Sequence, residues 1–143
     1  MRPKLFKIIE NDWPTLFSVL GLPIIWAIAF LFPYIREGAV FDPILAVAGS
    51  VLCIIIFLWR VYRIYRLFIH GAEVPGVLLG LYIVKDRGRF EYTYQVNEEA
   101  ISTWCPIHKS KHVLGFREGQ PLKVLYDPNK PRHSIVQDLF VKN

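Results

Sequence analysis

Charged residues are scarce in the first half of the chain, although they make up 20% of the whole sequence. Residues 13–35 contain none, and neither do residues 43–59. At about 1.5 Å per residue, helices of these lengths cover roughly 35 and 25 Å, which brackets the roughly 30 Å hydrocarbon core of a bilayer. The lack of charge argues against an ordinary water-soluble fold for this half and predicts two membrane-spanning helices.

Cysteine and the common chemical motifs are also scarce. Cys53 lies in the second apolar run and Cys105 in the polar second half, so no disulfide framework is expected. None of the glycines forms a G-x-x-x-x-G-K or G-x-G-x-x-G pattern, which leaves nucleotide use without support. The two apolar runs contain no acidic residue or histidine. They therefore lack the usual groups of an intramembrane proton relay.

The excess of basic residues is small once it is divided along the chain. The net charge is +5. Residues 1–70 hold seven Lys or Arg against four Asp or Glu, and residues 71–143 hold ten against eight. Neither half is basic enough for a nucleic-acid platform, so we expect no nucleic-acid partner. Much of the positive charge flanks the apolar runs, where it can set membrane topology.

Both predicted helices begin with capping signals. Asp12 precedes Pro14, and Asp42 precedes Pro43, which is the pattern of an N-cap followed by a proline in the opening turn. Pro23 predicts a kink in the first helix, and a glycine at position 71 is expected to end the second. A cleaved signal peptide is the alternative for the first run, but that run is longer than a signal core of about 7–15 residues.

Residues 36–42 are a short connection, so the two helices should form an antiparallel hairpin. Three Lys or Arg precede the first helix, and Arg60, Arg63 and Arg66 follow the second, whereas the connection holds Arg36 alone. The positive-inside rule then places both termini in the cytoplasm. The predicted division is a cytoplasmic segment 1–12, a spanning helix 13–35, an extracytoplasmic loop 36–42, a spanning helix with an interfacial extension 43–70, and a cytoplasmic β domain 71–143.

The hydrophobic pattern changes to a period of two in the second half. Phe90, Tyr92, Tyr94 and Val96 alternate with polar residues, which predicts a half-buried strand. We expect Gly88 to take a positive φ in the hairpin turn before it. Further strands are predicted over 77–85, 100–104, 113–116, 122–126 and 134–136. About six short strands indicate a small antiparallel barrel or sandwich of the SH3 or OB kind.

Three segments of this β domain have a recognisable sequence: VPGV at 74–77, FEYTYQVN at 90–97, and LKVLYDP at 122–128, which follows Gly119. They resemble the domain of unknown function 3592 family of small bacterial membrane proteins. The resemblance covers about residues 71–140 and implies spanning helices joined to a compact β domain, without naming a reaction. It also implies a bacterial inner membrane as the location. The family often has Asn-Gly where this chain has Asn97-Glu98, so a longer turn is expected there. A weaker resemblance, to membrane proteins with a terminal OB domain associated with stomatin-like partners, implies an accessory role.

The best candidates for chemistry are Cys105, His108 and His112, because thiolate and imidazole are preferred ligands of zinc. Their spacing is loose and a fourth ligand has to come from elsewhere, so metal binding is an alternative and not the main hypothesis. Cys105 and His108 could also form a nucleophile and base, but the sequence offers no third group to orient them. We therefore expect no enzymatic activity and no cofactor.

The sequence favours a non-catalytic membrane protein that binds, assembles or regulates a membrane complex through its β domain. The expected partners are the lipid bilayer and either another protein or further copies of the chain. Exposed sheet edges and segment 105–112, interpreted as a hairpin tip, are the expected contact surfaces. A small oligomeric channel, with Gly49 and Ser50 allowing close helix packing, is a further alternative. The residues predicted to make contacts are Arg60, Arg63, Arg66, His108, Lys109 and Lys111.

Overall fold

The computed structural model describes residues 3–36 and 41–141. Three helices come first: α1 Leu5–Asn11, α2 Trp13–Ile35 and α3 Pro43–His70. Five strands follow: β1 Ala72–Val84, β2 Arg87–Val96, β3 Glu99–His108, β4 Pro121–Asp127 and β5 Lys130–Val136. They form one antiparallel sheet in the order β3-β2-β1-β4-β5, which curls into a nearly closed barrel.

Both long helices start and end where the sequence predicts. The Asp12 carboxylate accepts a hydrogen bond from the Thr15 N–H at 3.1 Å, and the Asp42 carboxylate accepts one from the Ile44 N–H at 2.9 Å. Gly71 lies just beyond the last residue of α3, in an extended conformation. α2 continues as one helix through its internal prolines. The kink expected there stays a prediction.

α2 and α3 pack as an antiparallel pair. A Cβ added at Gly21 of α2 would come within 2.9 Å of the Cys53 Sγ, and one at Gly49 of α3 within 3.1 Å of the Ile25 Cδ1. These glycines therefore allow close packing inside one hairpin. Both helices are long and apolar enough to cross a membrane, yet only 17% and 11% of their most apolar stretches are buried. Most of the predicted connection, residues 37–40, lies outside the described residues.

The inner face of the sheet follows the predicted alternation, because Phe90, Tyr92, Tyr94 and Val96 are all buried. The expected strand at 113–116 is wrong: residues 113–115 form a short 3-10 helix. There the Val113 N–H donates to the Ser110 Oγ at 3.1 Å. This backbone N–H is therefore used in a local hydrogen bond and is not available for pairing with a neighbouring strand. The sheet accordingly has five strands and not six.

Both turns that flank β2 differ from expectation. The first turn has its positive φ at Lys85, 58°, whereas Gly88 lies within β2 and pairs with Ile83. The second turn is short, because Asn97 and Glu98 alone connect β2 to β3, with φ of 50° and 68°. Two successive positive φ values are the pattern of a type I′ hairpin turn. The predicted longer turn is therefore wrong.

The hydrophobic core crosses from the sheet into the helices. Ile8 of α1 and Ile64 and Leu67 of α3 are at most 5% exposed and belong to the same buried cluster as Tyr92 and Val124 of the sheet. The last turns of α3 thus lie inside the β domain. One continuous helix therefore joins the apolar hairpin to the core of the sheet.

Candidate functional site

α1 lies at the junction between the helix pair and the sheet, and it is fixed there by buried hydrogen bonds. The Asn11 Nδ2 donates to the Leu139 carbonyl at 2.6 Å, and the Ser110 Oγ donates to the Asn11 Oδ1 at 2.6 Å. The carbonyl of Glu10 lies 3.1 Å from the His108 Nδ1. Because Asn11 is fully buried, losing these partners would leave its amide without hydrogen bonds and would destabilise the fold by about 1–3 kcal/mol.

Asp12 connects the two long helices at the same level. Its side chain is 1% exposed and forms an ion pair with Arg60, which is 15% exposed and whose Nε lies 3.2 Å from the Asp12 Oδ2. The same Oδ2 accepts hydrogen bonds from the Thr15 N–H at 3.1 Å and the Thr15 Oγ1 at 2.5 Å. One carboxylate therefore caps α2 and neutralises the first arginine of α3.

The other two predicted contact arginines of α3 also lie against the chain itself. The guanidinium of Arg66 is 3.6 Å from the Oδ2 of Asp127, the last residue of β4. The guanidinium of Arg63 lies over the Trp59 ring, 5.8 Å from its centroid. Arg60 and Arg66 thus already pair with the protein's own carboxylates, which lessens their availability to lipid or a partner.

A cavity of about 400 Å³ lies between the end of α3 and the turn after β4. It is lined by Arg66, His70, Asp127 and Asn129, among others. Arg66 and Asp127 form an ion pair with each other, so their charges are already neutralised and neither is left over to attract a charged ligand. It gives no support to a catalytic site.

The structure does not bring the three proposed metal ligands together. The His112 Nε2 lies 2.8 Å from the Asp138 carbonyl, whereas the His108 Nδ1 faces the Glu10 carbonyl. Within residues 3–36 and 41–141, no group of three or more His, Cys, Asp or Glu is placed to hold a metal ion. A zinc site at Cys105, His108 and His112 therefore finds no support in the geometry.

Cys105 is also poorly suited to act as a nucleophile. Burial raises the pKa of its thiol to about 12, and the nearby Asp12 carboxylate acts in the same direction, while Arg60 opposes them. The thiolate is the reactive form of cysteine. At neutral pH this side chain is accordingly a protonated, inert thiol.

Segment 105–112 packs against α1, contrary to the expectation of a solvated hairpin tip. Ile107 and Ser110 are buried, and His108 is partly covered by the Glu10 backbone. Lys109 and Lys111 alternate with these residues and are exposed. Of the contact residues predicted in this segment, the two lysines are therefore the accessible ones.

The outer face of β1, β2 and β3 carries a cluster that the sequence analysis missed. Tyr82 of β1 is opposite Arg89 of β2, and the Arg89 guanidinium lies over the ring of Trp104 on β3, 4.8 Å from its centroid. Tyr82 and Trp104 are 58% and 51% exposed. We call Tyr82, Arg89 and Trp104 the outer patch. Alternation around Phe90 could have indicated that Arg89 points outward, but the strand register that brings Trp104 beside it was not readable from the sequence.

A second exposed group lies where β3 and the β1–β2 turn meet the start of α2. The Lys109 N–H donates to the Asp86 carbonyl at 2.9 Å, which ties the two segments together. The ring of His108 stacks on the ring of Trp13, with centroids 6.1 Å apart and planes at 14°. Four exposed cations surround this point, which we call the basic rim: Lys85, Arg87, Lys109 and Lys111.

Comparisons with protein-family models, with curated proteins and with solved structures find no match. The resemblance to the domain of unknown function 3592 family therefore stays a prediction.

Proposed function

We propose that this chain is a non-catalytic membrane protein, in which a spanning two-helix hairpin holds a cytoplasmic β domain as a docking module at the membrane surface. The observation that carries the proposal is the exposure of the apolar helices. Phe30 and Ile44, for example, are 70% and 73% exposed. A helix that is apolar on all sides is normally buried in protein or lipid, so we infer that a bilayer surrounds these exposed apolar surfaces.

The way the β domain is attached supports docking as its role. α3 continues without a break from the apolar region into the core of the sheet, where Ile64 and Leu67 are buried. The Asp12–Arg60 ion pair and the hydrogen bonds of Asn11 add further connections at the same junction. A domain held in this way has a fixed height and orientation, which lowers the entropic cost of binding a neighbour in the same membrane.

The outer patch is the surface that suits a protein partner best. Tyr, Trp and Arg are the residue types that dominate the energy of protein interfaces. Arg89 is already stacked on Trp104, so little side-chain freedom remains to be lost when a partner covers the pair. Leu79 of β1 is 49% exposed and extends the apolar surface on this side. We infer that a protein of the same membrane complex docks on this face.

The test is native mass spectrometry of the full chain extracted gently from its own membranes, combined with alkaline carbonate extraction. We expect carbonate to leave the chain in the membrane fraction and the wild type to give a heteromer of defined mass. Trp104→Ala should lose that heteromer, whereas Leu114→Ala, at a position that is 52% exposed and outside the patch, should keep it. Release by carbonate would refute the membrane proposal, and an unchanged complex with Trp104→Ala would refute the docking role of the outer patch.

A further inference from the structure

We propose that the basic rim, Lys85, Arg87, Lys109 and Lys111, binds the headgroups of anionic phospholipids in the membrane that the helices enter. The inference rests on the proposed spanning hairpin and adds a second attachment to it. The helices anchor the chain, and the rim would hold the open end of the β2–β3 hairpin down on the lipid surface.

The position of the rim follows from its contacts with α2. The 23 residues of α2 cover about 35 Å, slightly more than the roughly 30 Å hydrocarbon core. Trp13 at the start of α2 therefore falls in the interfacial region, where tryptophan is enriched. His108 stacks on Trp13, and Arg87 is paired with His108 on the neighbouring strand, about 4.8 Å away. The rim is therefore at the level of the headgroups.

The charge on this end of the sheet is unbalanced. Segments 84–89 and 108–111 together hold Arg89 and the four rim cations, whereas Asp86 is their single carboxylate. Nearby Glu10 is paired with Lys7 at 2.8 Å. At the other end of the β2–β3 hairpin, about 30 Å from the rim, Glu98 and Glu99 carry negative charge, and Glu99 lines a surface pocket together with Lys130 and Arg132 of β5, so that end has no excess of positive charge. The excess of positive charge at the rim end favours an orientation in which this end of the domain faces an anionic surface.

Anionic lipid fits the rim better than it fits the arginines of α3. Arg60 and Arg66 form ion pairs with Asp12 and Asp127, while the described contacts of the rim side chains include no ion pair. Basic residues near an anionic bilayer contribute about 1 kcal/mol each, an effect that fades within a Debye length of about 8 Å. Only groups at headgroup level gain this energy, and the rim is at that level.

The experiment compares the full chain in nanodiscs of phosphatidylcholine alone and of phosphatidylcholine mixed with phosphatidylglycerol. The test variant is K85Q/R87Q/K109Q. The matched control is K123Q/K130Q/R132Q, which removes the same charge from exposed positions on β4 and β5. Native mass spectrometry counts the phosphatidylglycerol molecules retained, and hydrogen exchange follows the amides of residues 84–89 and 108–111.

We expect the wild type and the control to retain phosphatidylglycerol and to show slower exchange at the rim only in the mixed nanodiscs. The test variant should lose the preference by about fivefold or more. Equal retention by the test and control variants would overturn the proposal, and so would protection of the rim by a stoichiometric protein without phosphatidylglycerol. Carbonate extraction separates the two proposals, since a chain that stays inserted without a lipid preference contradicts only the rim.

Discussion

The substitution Asp12→Asn tests whether the junction depends on the charge of Asp12 or only on its hydrogen bonds. Asparagine is as good an N-cap as aspartate, so the bond from the Thr15 N–H can persist. The ion pair with Arg60 is lost, because asparagine carries no charge. Arg60 then keeps its positive charge without a partner, at a position where its side chain is only 15% exposed. The substitution therefore isolates the electrostatic part of the junction.

The expected loss is large because the Asp12 side chain is buried and the Arg60 side chain is only 15% exposed. Removing one partner of a buried ion pair costs about 3–5 kcal/mol, and the partial exposure of Arg60 places this case at the lower end, near about 3 kcal/mol. For a chain of this size each kcal/mol corresponds to about 2–4 °C in the midpoint of thermal unfolding. We expect Asp12→Asn to lower that midpoint by about 6–12 °C.

Two further variants make the reasoning specific. Replacing both members of a buried pair with uncharged groups is often neutral, so D12N/R60L should recover to within about 1 kcal/mol of the wild type. Arg66→Gln breaks an ion pair whose arginine is 56% exposed and should cost less than about 1 kcal/mol. The assay is thermal unfolding of each variant in lipid nanodiscs, followed by intrinsic tryptophan fluorescence.

Two results would refute this account. The first is an Asp12→Asn midpoint within about 2 °C of the wild type. The second is a double variant that melts no higher than Asp12→Asn, since the stranded charge of Arg60 would then not be the cause of the loss.

Three other predictions concern the β domain and its packing. Burial raises the pKa of the Cys105 thiol from 9.0 to about 12, so the contribution of the neutral thiol to stability is complete below pH 9 and is lost as pH rises through 12. Maleimide at pH 8 should therefore modify Cys105 about 10³ times more slowly in the folded chain than in the unfolded chain. Gly76→Ala would place a Cβ 2.7 Å from a β4 side chain and 2.8 Å from a β2 carbonyl oxygen, so it should lower the free energy of unfolding by about 1–3 kcal/mol. In the control variant Gly115→Ala the new Cβ meets nothing within 4 Å, so the free energy of unfolding should stay the same or rise slightly. Ile8→Ala should lower the free energy of unfolding by about 2–5 kcal/mol because Ile8 is fully buried, while Phe6→Ala on the same helix, at a residue that is 73% exposed, should change it by less than about 0.5 kcal/mol. Chemical denaturation measures both values, and equal losses would contradict the packing of α1.

The elements that sequence analysis predicted correctly depend on local signals. The caps at Asp12 and Asp42, the end of α3 before Gly71 and the buried face of β2 each follow from neighbours within a few residues. Such patterns are set by helix and strand geometry, so they are visible without knowledge of the fold. The expected strand at 113–116 shows the limit of such signals, because residues 113–115 form a 3-10 helix whose first N–H donates to the Ser110 side chain.

The candidate site depended on long-range pairing and was therefore mostly invisible. Asp12 and Arg60 are 48 residues apart, and Asn11 bonds to Ser110 99 residues later. Nothing in the local sequence distinguishes an arginine that meets its own carboxylate from one that faces lipid. The sequence did indicate Lys109 as a contact residue, but its neighbourhood with the β1–β2 turn required the register of the sheet.

The junction also links the stability of the β domain to its position on the helices. A domain of about 70 residues buries a small core, and this one completes it with Ile8 of α1 and with Ile64 and Leu67 of α3. Sliding or tilting of the sheet against α3 would expose those side chains, at about 1.5–3 kcal/mol for each one fully uncovered. If a partner binds the outer patch as proposed, the shared core predicts that the β domain and the end of α3 would move together. Such binding would then reach the apolar hairpin through packing, since α3 runs without a break from the core of the sheet into the hairpin.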